Sequence, residues 1–281
     1  MNSERVRFYK MTGSGNDFVM LDGREHQLTD WPAERIAAVC ARQTGVGADG
    51  LVLLTPEGGD RVGMRYFNAD GSFAAMCGNA ALCSTRLAAR LGLAPGEGMT
   101  LLTAAGEVRS RCAGPGNEAE INLPAVAPLG RVEGVCRAGE HQAWLGTVGV
   151  PHLIVLVDDV ERLDVVERGR QLRFDPAVGP EGANVNFISP PRGPGQPWMI
   201  RTYERGVEGE TLACGTGTVA AALLLVQVGR SRMPLTFASR SGNLLSVRAT
   251  PTTAGGFDDV WLRGEGRAVF EGVLSAEASP G

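Results

Sequence analysis

Two stretches of the sequence, RYFNADGSFAAMCGNA at residues 65–80 and RTYERGVEGETLACGTG at residues 201–217, follow one pattern. Each runs from an arginine through an aromatic residue and a polar turn to a Cys-Gly-polar-small sequence. An apolar helical pattern follows each of them and ends near a glycine, Gly92 in the first and Gly229 in the second. Two such units in one chain predict a duplicated domain that has a cysteine at the same structural place in each half.

The rest of the chain is typical of two mixed α/β halves. Helical patterns lie at residues 32–41, 78–91 and 215–228, and apolar runs predict strands at 6–9, 18–21, 51–54, 64–67, 153–157, 199–203 and 260–262. Gly- and Pro-rich stretches separate these segments and indicate a domain boundary near residues 120–130. We expect an N-terminal half at 1–122, a C-terminal half at 123–264, and a return of residues 265–281 to the first half.

Composition places the chain among ordinary globular proteins. Its 281 residues are 43% hydrophobic and 21% charged, which is sufficient for two domains with buried cores. The formal net charge of -4 gives no electrostatic reason to expect a nucleic acid or an anionic membrane as partner. The N-terminal residues are polar, and the apolar run at 219–228 is shorter than the ~20 residues that span a bilayer. We therefore expect a soluble, cytoplasmic protein.

The cysteines and histidines predict neither a metal site nor a disulfide framework. No CxxC pair is present, and the three histidines are scattered along the chain, so metal-ligand spacing is missing. Free thiols are the expected state in a reducing compartment. Any one cysteine is also open to a purely structural interpretation as a small buried hydrophobic residue. The residues concerned are Cys40, Cys77, Cys83, Cys112, Cys136 and Cys214, with His26, His141 and His152.

The glycine motif GVGADG at residues 45–50 matches a dinucleotide-binding pattern only by letter. That loop must follow a strand and open a helix, because the helix N-terminus receives the pyrophosphate. Here it follows the predicted helix at 32–41 and precedes the predicted strand at 51–54. We interpret it as a tight turn and reject nucleotide binding.

Cys77 and Cys214 each directly precede a predicted helix. The first N–H groups of a helix have no partners within it, and the helix dipole adds partial positive charge there. Such an end binds carboxylates and lowers the pKa of a nearby thiol. Two such ends suit inversion at a carbon next to a carboxylate, in which a thiolate removes a proton from one face and a thiol supplies one to the other.

Composition also favours a mechanism without a cofactor. Most enzymes that invert amino acids use pyridoxal phosphate, which needs a Schiff-base lysine. Lys10 is the only lysine in the sequence, and no suitably placed phosphate-binding glycine loop accompanies it. A hydrolase nucleophile would need only one cysteine, so the duplication favours a symmetric task over that alternative.

Eight motifs in one order make the sequence similar to the diaminopimelate epimerase family, a group of cofactor-independent amino-acid racemases and epimerases. The motifs cover nearly the whole chain: FYKMTGSGNDF (8–18), GVGADG (45–50), FNADGS (67–72), CGN (77–79), GVPH (149–152), GANVNF (182–187), ERG (204–206) and CGTG (214–217). The resemblance implies interconversion of LL- and meso-2,6-diaminopimelate, which supplies lysine and cell-wall cross-links. It also implies two pseudo-symmetric α/β (α+β mixed) domains, each a sheet or barrel around a central helix, with the active site in the cleft between them, and a homodimer.

The resemblance implies a role for each matched position. Cys77 and Cys214 would be the acid/base thiols, with His152 and Glu204 beside them. Backbone N–H groups would cradle the reacting carboxylate at Gly78, Asn79, Gly215 and Thr216. The distal end of the substrate would be held by Asn16, Asn68, Asn184 and Arg205, because arginine pairs with carboxylates through two hydrogen bonds.

Structural alternatives remain open for several of these positions. The two asparagines Asn16 and Asn68 are close to glycines and could simply shape turns. His152 could be a satisfied core histidine, and Arg205 a solvated surface charge.

Four departures from the family pattern bear on the substrate. Ala80 and Leu82 replace a glycine and an arginine after Cys77, Val150 replaces an asparagine, and Gly50 replaces a glutamine found in some members. The loop at 206–211 is one residue longer than the shortest family form. Val150 and Leu82 favour keeping a racemase of another amino acid as an alternative, and a non-catalytic amino-acid-binding module that keeps Arg205 and the asparagines is a second alternative. A binding module would not need both thiols.

Overall fold

A computed structural model describes residues 6–114 and 116–275 of the chain. Eighteen strands and four α-helices are assigned in this part. The strands are β1 Val6–Gly13, β2 Asn16–Asp22, β3 Gly50–Pro56, β4 Arg61–Asn68, β5 Phe73–Ala74, β6 Met99–Thr103, β7 Gly106–Cys112, β8 Glu118–Leu123, β9 Gly130–Val132, β10 Glu140–Val148, β11 Val150–Val157, β12 Asn184–Ser189, β13 Trp198–Glu204, β14 Gly209–Thr211, β15 Leu235–Ala238, β16 Leu244–Pro251, β17 Phe257–Glu265 and β18 Arg267–Leu274. The helices are α1 Ala33–Cys40, α2 Gly78–Leu91, α3 Val165–Arg173 and α4 Gly215–Gln227.

Contacts divide the chain into two compact units, unit 1 (1–121 and 263–281) and unit 2 (122–262). In unit 1, β1 pairs antiparallel with β18 and with β2, and β2 pairs parallel with β3. The ladder continues antiparallel to β4, parallel to β6, and antiparallel to β7 and β8. The short strand β5 pairs with β4 just before α2 begins.

Unit 2 repeats this order of pairings. Its β10 pairs antiparallel with β11, which pairs parallel with β12, and β13 then follows antiparallel. The ladder goes on parallel to β15 and antiparallel to β16, while the short strand β14 pairs with β13 just before α4. The predicted duplication is therefore confirmed in the topology: α1 and α3 occupy equivalent places, as do α2 and α4.

A largely buried helix lies at the centre of each unit. Helix α4 is apolar on all sides, and residues 217–225 are buried, as expected for a helix surrounded by other elements. It packs on β10, β11, β12 and β16. Helix α2 packs in the same way on β1 to β4, β6, β7 and β18. Each fully buried leucine of α4 stabilises the unit by roughly 1.5–3 kcal/mol relative to an exposed one.

Helices α1 and α3 cover further apolar surface of the two units. Ile36 and Val39 of α1 join a cluster with Val19 and Leu21 of β2. In unit 2, α3 contributes Val165 and Leu172 to a cluster that contains residues of β11 and β12. All four residues 18–21 are fully buried, because both faces of β2 are covered. This explains why the strand is a continuous apolar run without alternation.

All the predicted helices and strands are present, and the described residues add one α-helix and eleven strands. The helices at 32–41, 78–91 and 215–228 are observed at 33–40, 78–91 and 215–227, and every predicted strand lies in an observed one. The GVGADG loop connects α1 to β3, as expected for a turn rather than a nucleotide site. Helix α3 was not predicted. Its sequence is polar and contains Gly169, which lies where a Cβ would be 2.3 Å from the Cβ of Tyr203.

Candidate active site

Cys77 and Cys214 occupy equivalent positions, each as the N-cap residue of its unit's central helix. Both have extended backbones, with φ and ψ of -137° and 124° for Cys77 and -126° and 109° for Cys214. Neither helix start has a side-chain cap or an acidic residue in its first turn among the described residues. Without such a cap or acidic residue, the N–H groups of the first turn suit an external carboxylate.

The first turn of α2 is tied to the strands of unit 1 through two asparagines. Asn79 Nδ2 donates to Asn16 Oδ1 at 2.6 Å, and Asn16 Nδ2 donates to Asp49 Oδ2 at 2.9 Å. Asn79 is buried, and its Oδ1 has no hydrogen-bond partner among the described residues. A buried acceptor without a partner is costly, so this oxygen suits a donor that is supplied by a ligand.

A cluster of charged side chains lies next to Asn16, which contacts it through Asp49. Arg42 bridges Asp17 and Asp49, with 2.9 Å to Asp17 Oδ1 and 2.6 Å to Asp49 Oδ1. Lys10, which is buried, donates to Asp17 Oδ2 at 2.6 Å and to the carbonyl of Gly47. Burial alone would raise the pKa of Asp17, but hydrogen bonds from Arg42 and Lys10 hold it below its usual value. The only lysine of the chain is therefore engaged in an ion pair.

Asn68, a further predicted residue of unit 1, is the last residue of β4 and leads into a turn. Its Nδ2 donates to Ser72 Oγ at 3.0 Å, and its backbone N–H donates to the carbonyl of Ser72. These contacts are those of a residue that shapes a turn. The structure thus brings Asn16 to Asn79 and leaves Asn68 in separate contacts.

In unit 2, His152 and Cys214 are connected through a threonine. His152 on β11 is fully buried, and its Nε2 lies 3.0 Å from Thr216 Oγ1. The same hydroxyl lies 3.7 Å from the sulfur of Cys214. Burial lowers the pKa of His152 to about 3 and outweighs the opposite effect of the nearby Val148 backbone. The imidazole is therefore neutral at physiological pH.

The remaining predicted residues of unit 2 form a second group. Asn184, at the start of β12, accepts a hydrogen bond from the backbone N–H of Arg205 at 2.7 Å. The Arg205 side chain reaches Glu181, with 3.5 Å between Nη1 and Oε2. Glu204 ends β13, is half-buried, and accepts a hydrogen bond from the backbone N–H of Glu208 through its own carbonyl. The end of β13 and the loop after it therefore carry the Glu204 carboxylate and the Arg205 guanidinium, and the backbone of Arg205 contacts the side-chain amide of Asn184.

Other cysteines differ from this pair in their surroundings. Burial raises the pKa of Cys40 to about 11 and that of Cys83 well above its usual value, so both stay protonated. They are core thiols, as the sequence predicts. In the described part of the chain, no group of three or more His, Cys, Asp and Glu side chains is arranged to hold a metal ion. Within the same residues, no helix is long and apolar enough to cross a membrane.

A family model described as "Diaminopimelate epimerase" matches residues 8–125 and 145–252. The chain belongs to the diaminopimelate epimerase family. Proteins of this name are similar over nearly their full lengths: one from Gemmatimonas aurantiaca is 44% identical, covering 96% of this chain and 99% of its own. One from Aquifex aeolicus is 37% identical, with coverage of 97% and 99%, and one from Archaeoglobus fulgidus is 36% identical, with coverage of 96% and 96%. The chain is accordingly an isomerase of the epimerase class.

Solved structures of two other proteins share the fold of this chain. A PhzF-family protein from Bacillus anthracis superposes with a TM-score of 0.74 at 16% identity, covering 96% of this chain and 99% of its own. A probable proline racemase from Agrobacterium radiobacter gives a TM-score of 0.66 at 17% identity, covering 96% and 93%. At these identities the likeness shows the mixed α/β fold alone.

Two of the four departures from the diaminopimelate epimerase motifs are explained locally, the one at Ala80 and Leu82 and the one at Gly50. Ala80 is a buried residue in the first turn of α2, where helical dihedrals need no glycine. Leu82 is fully buried in the core of unit 1, a place where an unpaired arginine would carry a high desolvation cost. At Gly50 a Cβ would lie 2.3 Å from the carbonyl oxygen of Phe67 and 2.6 Å from the ring of Tyr66, so no side chain fits.

Several partners of the site were missed in the sequence. In unit 1 they are Asp49, which accepts a hydrogen bond from Asn16, and Arg42, which donates to Asp49. In unit 2 they are Asn186, which contacts His152, and Thr202, which donates to Asn186. One signal was available: Asn184 and Asn186 are two residues apart in a strand, so both side chains point to the same face. A second asparagine on the face that carries a predicted site residue was a candidate for the same site.

Proposed function

We propose that this protein interconverts LL- and meso-2,6-diaminopimelate by a two-base mechanism without a cofactor, in the biosynthesis of lysine and peptidoglycan precursors. One observation carries the proposal: in a chain of this family, Cys77 and Cys214 cap the central helices of two units with the same topology. A duplicated thiol at a helix start is suited to a reaction that needs one base and one acid.

Cys77 and Cys214 exchange one proton with the substrate on opposite faces. The thiolate of one cysteine takes the α-proton, and its sulfur becomes a thiol as the C–H bond breaks. The thiol of the other cysteine gives its proton to the opposite face, and its sulfur becomes a thiolate as the new C–H bond forms. The product leaves the two sulfurs with exchanged protonation states, so both must re-equilibrate with solvent before the next turnover in the same direction.

The helix starts stabilise the charge that develops next to the reacting carbon. Backbone N–H groups of Gly78 and Asn79 in unit 1, and of Gly215 and Thr216 in unit 2, bind the α-carboxylate. Preorganised donors of this kind stabilise negative charge in the transition state more than in the ground state. His152 and Glu204 assist the thiols.

The asparagines and Arg205 select the substrate. Asn16, Asn68, Asn184 and Arg205 bind the distal amino and carboxyl groups, and the arginine supplies the charge for the distal carboxylate. The buried ion pair of Lys10 with Asp17 supports independence from pyridoxal phosphate, because the ammonium is already held by a carboxylate.

We further propose that the protein acts as a cytoplasmic homodimer. The support is an apolar stretch on β18, where Val269, Phe270 and Val273 are each about half exposed. Exposed apolar side chains grouped on one strand are typical of association surfaces.

Isotope incorporation tests the reaction. In D2O, LL-diaminopimelate should yield meso product that carries one solvent deuterium at the inverted carbon, measured by chiral chromatography with mass spectrometry. Cys77→Ala and Cys214→Ala should each lower the rate by at least ~100-fold, the lower range for a general acid or base. Cys112→Ala, on a strand of unit 1, is the matched control and should retain activity.

Two results would contradict the proposal. Full epimerisation by Cys214→Ala would exclude the two-base mechanism. A strong preference, in a panel of L-amino acids, for a substrate without a distal carboxylate would assign the protein to another racemase specificity.

A further inference from the structure

Asn186 is a fully buried asparagine on β12 to which the sequence motifs assign no role, and its amide orientation is fixed by its neighbours. Its Nδ2 lies 3.3 Å from the carbonyl of Leu153 and 3.4 Å from that of Asn184, which are acceptors only. Its Oδ1 accepts a hydrogen bond from the hydroxyl of Thr202 at 2.9 Å. The nitrogen must therefore face the carbonyls, because two oxygen acceptors cannot share a hydrogen bond.

This fixed amide determines which nitrogen of His152 carries the proton. The shortest of the three contacts of Asn186 Nδ2 is the one of 3.2 Å to His152 Nδ1, and because this nitrogen can only donate, a hydrogen bond between them requires Nδ1 to be the acceptor. A neutral imidazole with an acceptor at Nδ1 carries its hydrogen on Nε2. Nε2 lies 3.0 Å from Thr216 Oγ1 and donates to it. The Thr216 hydroxyl hydrogen is then directed to the sulfur of Cys214, at 3.7 Å.

Close packing holds Asn186 against the start of α4. A Cβ at Gly217 would lie 2.0 Å from Asn186 Oδ1 and 3.3 Å from the sulfur of Cys214. The amide and the cysteine sulfur therefore lie against the same residue of the first helical turn, and only glycine leaves room for both.

We infer that Asn186 is a positioning residue, which keeps the proton of neutral His152 on Nε2 and so makes Thr216 a hydrogen-bond donor to Cys214. A donor to sulfur favours the thiolate over the thiol. Asn186 thus biases Cys214 towards the form that removes a proton. The inference rests on the role of Cys214 under the proposed function, while the tautomer itself is independent of that role.

The tautomer is measured directly in the wild-type protein. Nitrogen-15 NMR of protein labelled at histidine should show neutral His152 protonated on Nε2, with assignment by His26→Gln and His141→Gln. A proton on Nδ1 would overturn the inference without any variant at Asn186.

Asn186→Asp tests the consequence for catalysis. A carboxylate cannot donate to Nδ1, so the ring proton should move to Nδ1 and the Thr216 hydroxyl should turn towards Nε2. We expect kcat to fall about 10- to 100-fold, the range for loss of one hydrogen bond to a charged group, with KM changed less than about threefold. The milder Asn186→Ala removes the donor without adding charge and should let both tautomers occur.

Asn122→Asp is the matched control, because Asn122 of unit 2 donates to the Val260 carbonyl at 3.0 Å outside this chain of hydrogen bonds. It should keep kcat within about twofold of wild type. A kcat of Asn186→Asp within threefold of wild type would overturn the inference while Cys214→Ala remains inactive. Full activity of Cys214→Ala would instead contradict the proposed function, whatever the tautomer.

Discussion

Replacing Gly217 with alanine puts a methyl group into space that Asn186 already fills. The new Cβ would lie 2.0 Å from Asn186 Oδ1, whereas contacts of Cβ atoms below 3.0 Å essentially do not occur, so a group must move by about 1 Å. Asn186 is held by Thr202 and two backbone carbonyls, so the movement falls on these hydrogen bonds and on the start of α4. Overpacking of this kind costs about 1–3 kcal/mol, which a gain in helix propensity of roughly 0.5–1 kcal/mol partly offsets.

We expect the free energy of unfolding to fall by about 0.5–2 kcal/mol in Gly217→Ala. Turnover should fall about 100-fold, because a displacement near 1 Å is enough for such a loss at a catalytic group. Urea denaturation and the deuterium assay measure the two effects. Gly209→Ala, also in unit 2, is the control, since no atom lies within 4 Å of its new Cβ.

A double-mutant cycle identifies the clash itself. In the Asn186→Ala background the obstructing amide is gone, so the alanine at Gly217 should become neutral or stabilising by up to roughly 1 kcal/mol through helix propensity. The destabilisation by Gly217→Ala should therefore be present in the wild-type background and absent in the Asn186→Ala background. An unchanged urea midpoint and turnover for the single variant, or equal losses in both backgrounds, would refute the role of close packing at this position.

Three further outcomes are expected from the charges and the buried histidine. Lys10→Met should lower the free energy of unfolding by about 1–3 kcal/mol, because it leaves Asp17 without one of its hydrogen-bonded partners; urea denaturation measures this. The pKa of Asp17 is lowered in the folded state, so its carboxylate stabilises the protein above the ordinary pKa of aspartate, and this stability is lost as pH falls through the pKa of the folded state. In Lys10→Met the free energy of unfolding should therefore decrease less steeply with pH below about pH 4. The pKa of His152 is about 3 in the folded state, so the free energy of unfolding is highest above the ordinary pKa of histidine and decreases as pH falls towards 3. Urea denaturation of His152→Gln between about pH 7 and pH 4 should lack this decrease. Asp49→Asn should raise KM about 10-fold in steady-state assays with a smaller change in kcat, because it removes the charged acceptor that orients Asn16.

The two central helices were predictable because their sequence and their environment agree. The Cys-Gly pair marks the start of α4, and the apolar run from Val219 onward marks its burial on all sides. Helix α3 was not predictable from its polar sequence. It forms because Asp164 caps it by accepting from the backbone N–H of Glu167, and because Gly169 lets it approach Tyr203 closely. The capping aspartate can be identified from the local sequence. The close approach at Gly169 depends on Tyr203, which lies on a strand 34 positions further along the chain.

The candidate site is predictable only where the residues themselves carry the chemistry. Cys77, Cys214 and His152 could be proposed as site residues because a thiol at a helix start and a histidine in a family motif have a chemical meaning of their own. The chain of hydrogen bonds through Asn186 was not found, because it depends on strand register. The parallel pairing of β11 and β12 sets His152 opposite Asn184, which brings Asn186 within 3.2 Å of the imidazole.

Duplication gives the two cysteines the same backbone position, but the side chains around them differ. Under the proposed mechanism one sulfur is a thiolate while the other is a thiol, and the two states are exchanged in each turnover. Each sulfur must therefore act as the base in one direction and as the acid in the other, in the surroundings that its own unit supplies. In unit 1 the helix start contacts Asn16, which in turn contacts a cluster of charged side chains, whereas in unit 2 it contacts a neutral, buried histidine through Thr216. A variant that copies Asn16 and Asn79 of unit 1 into unit 2 would replace the second set of contacts by the first, and we do not expect it to keep the wild-type rate.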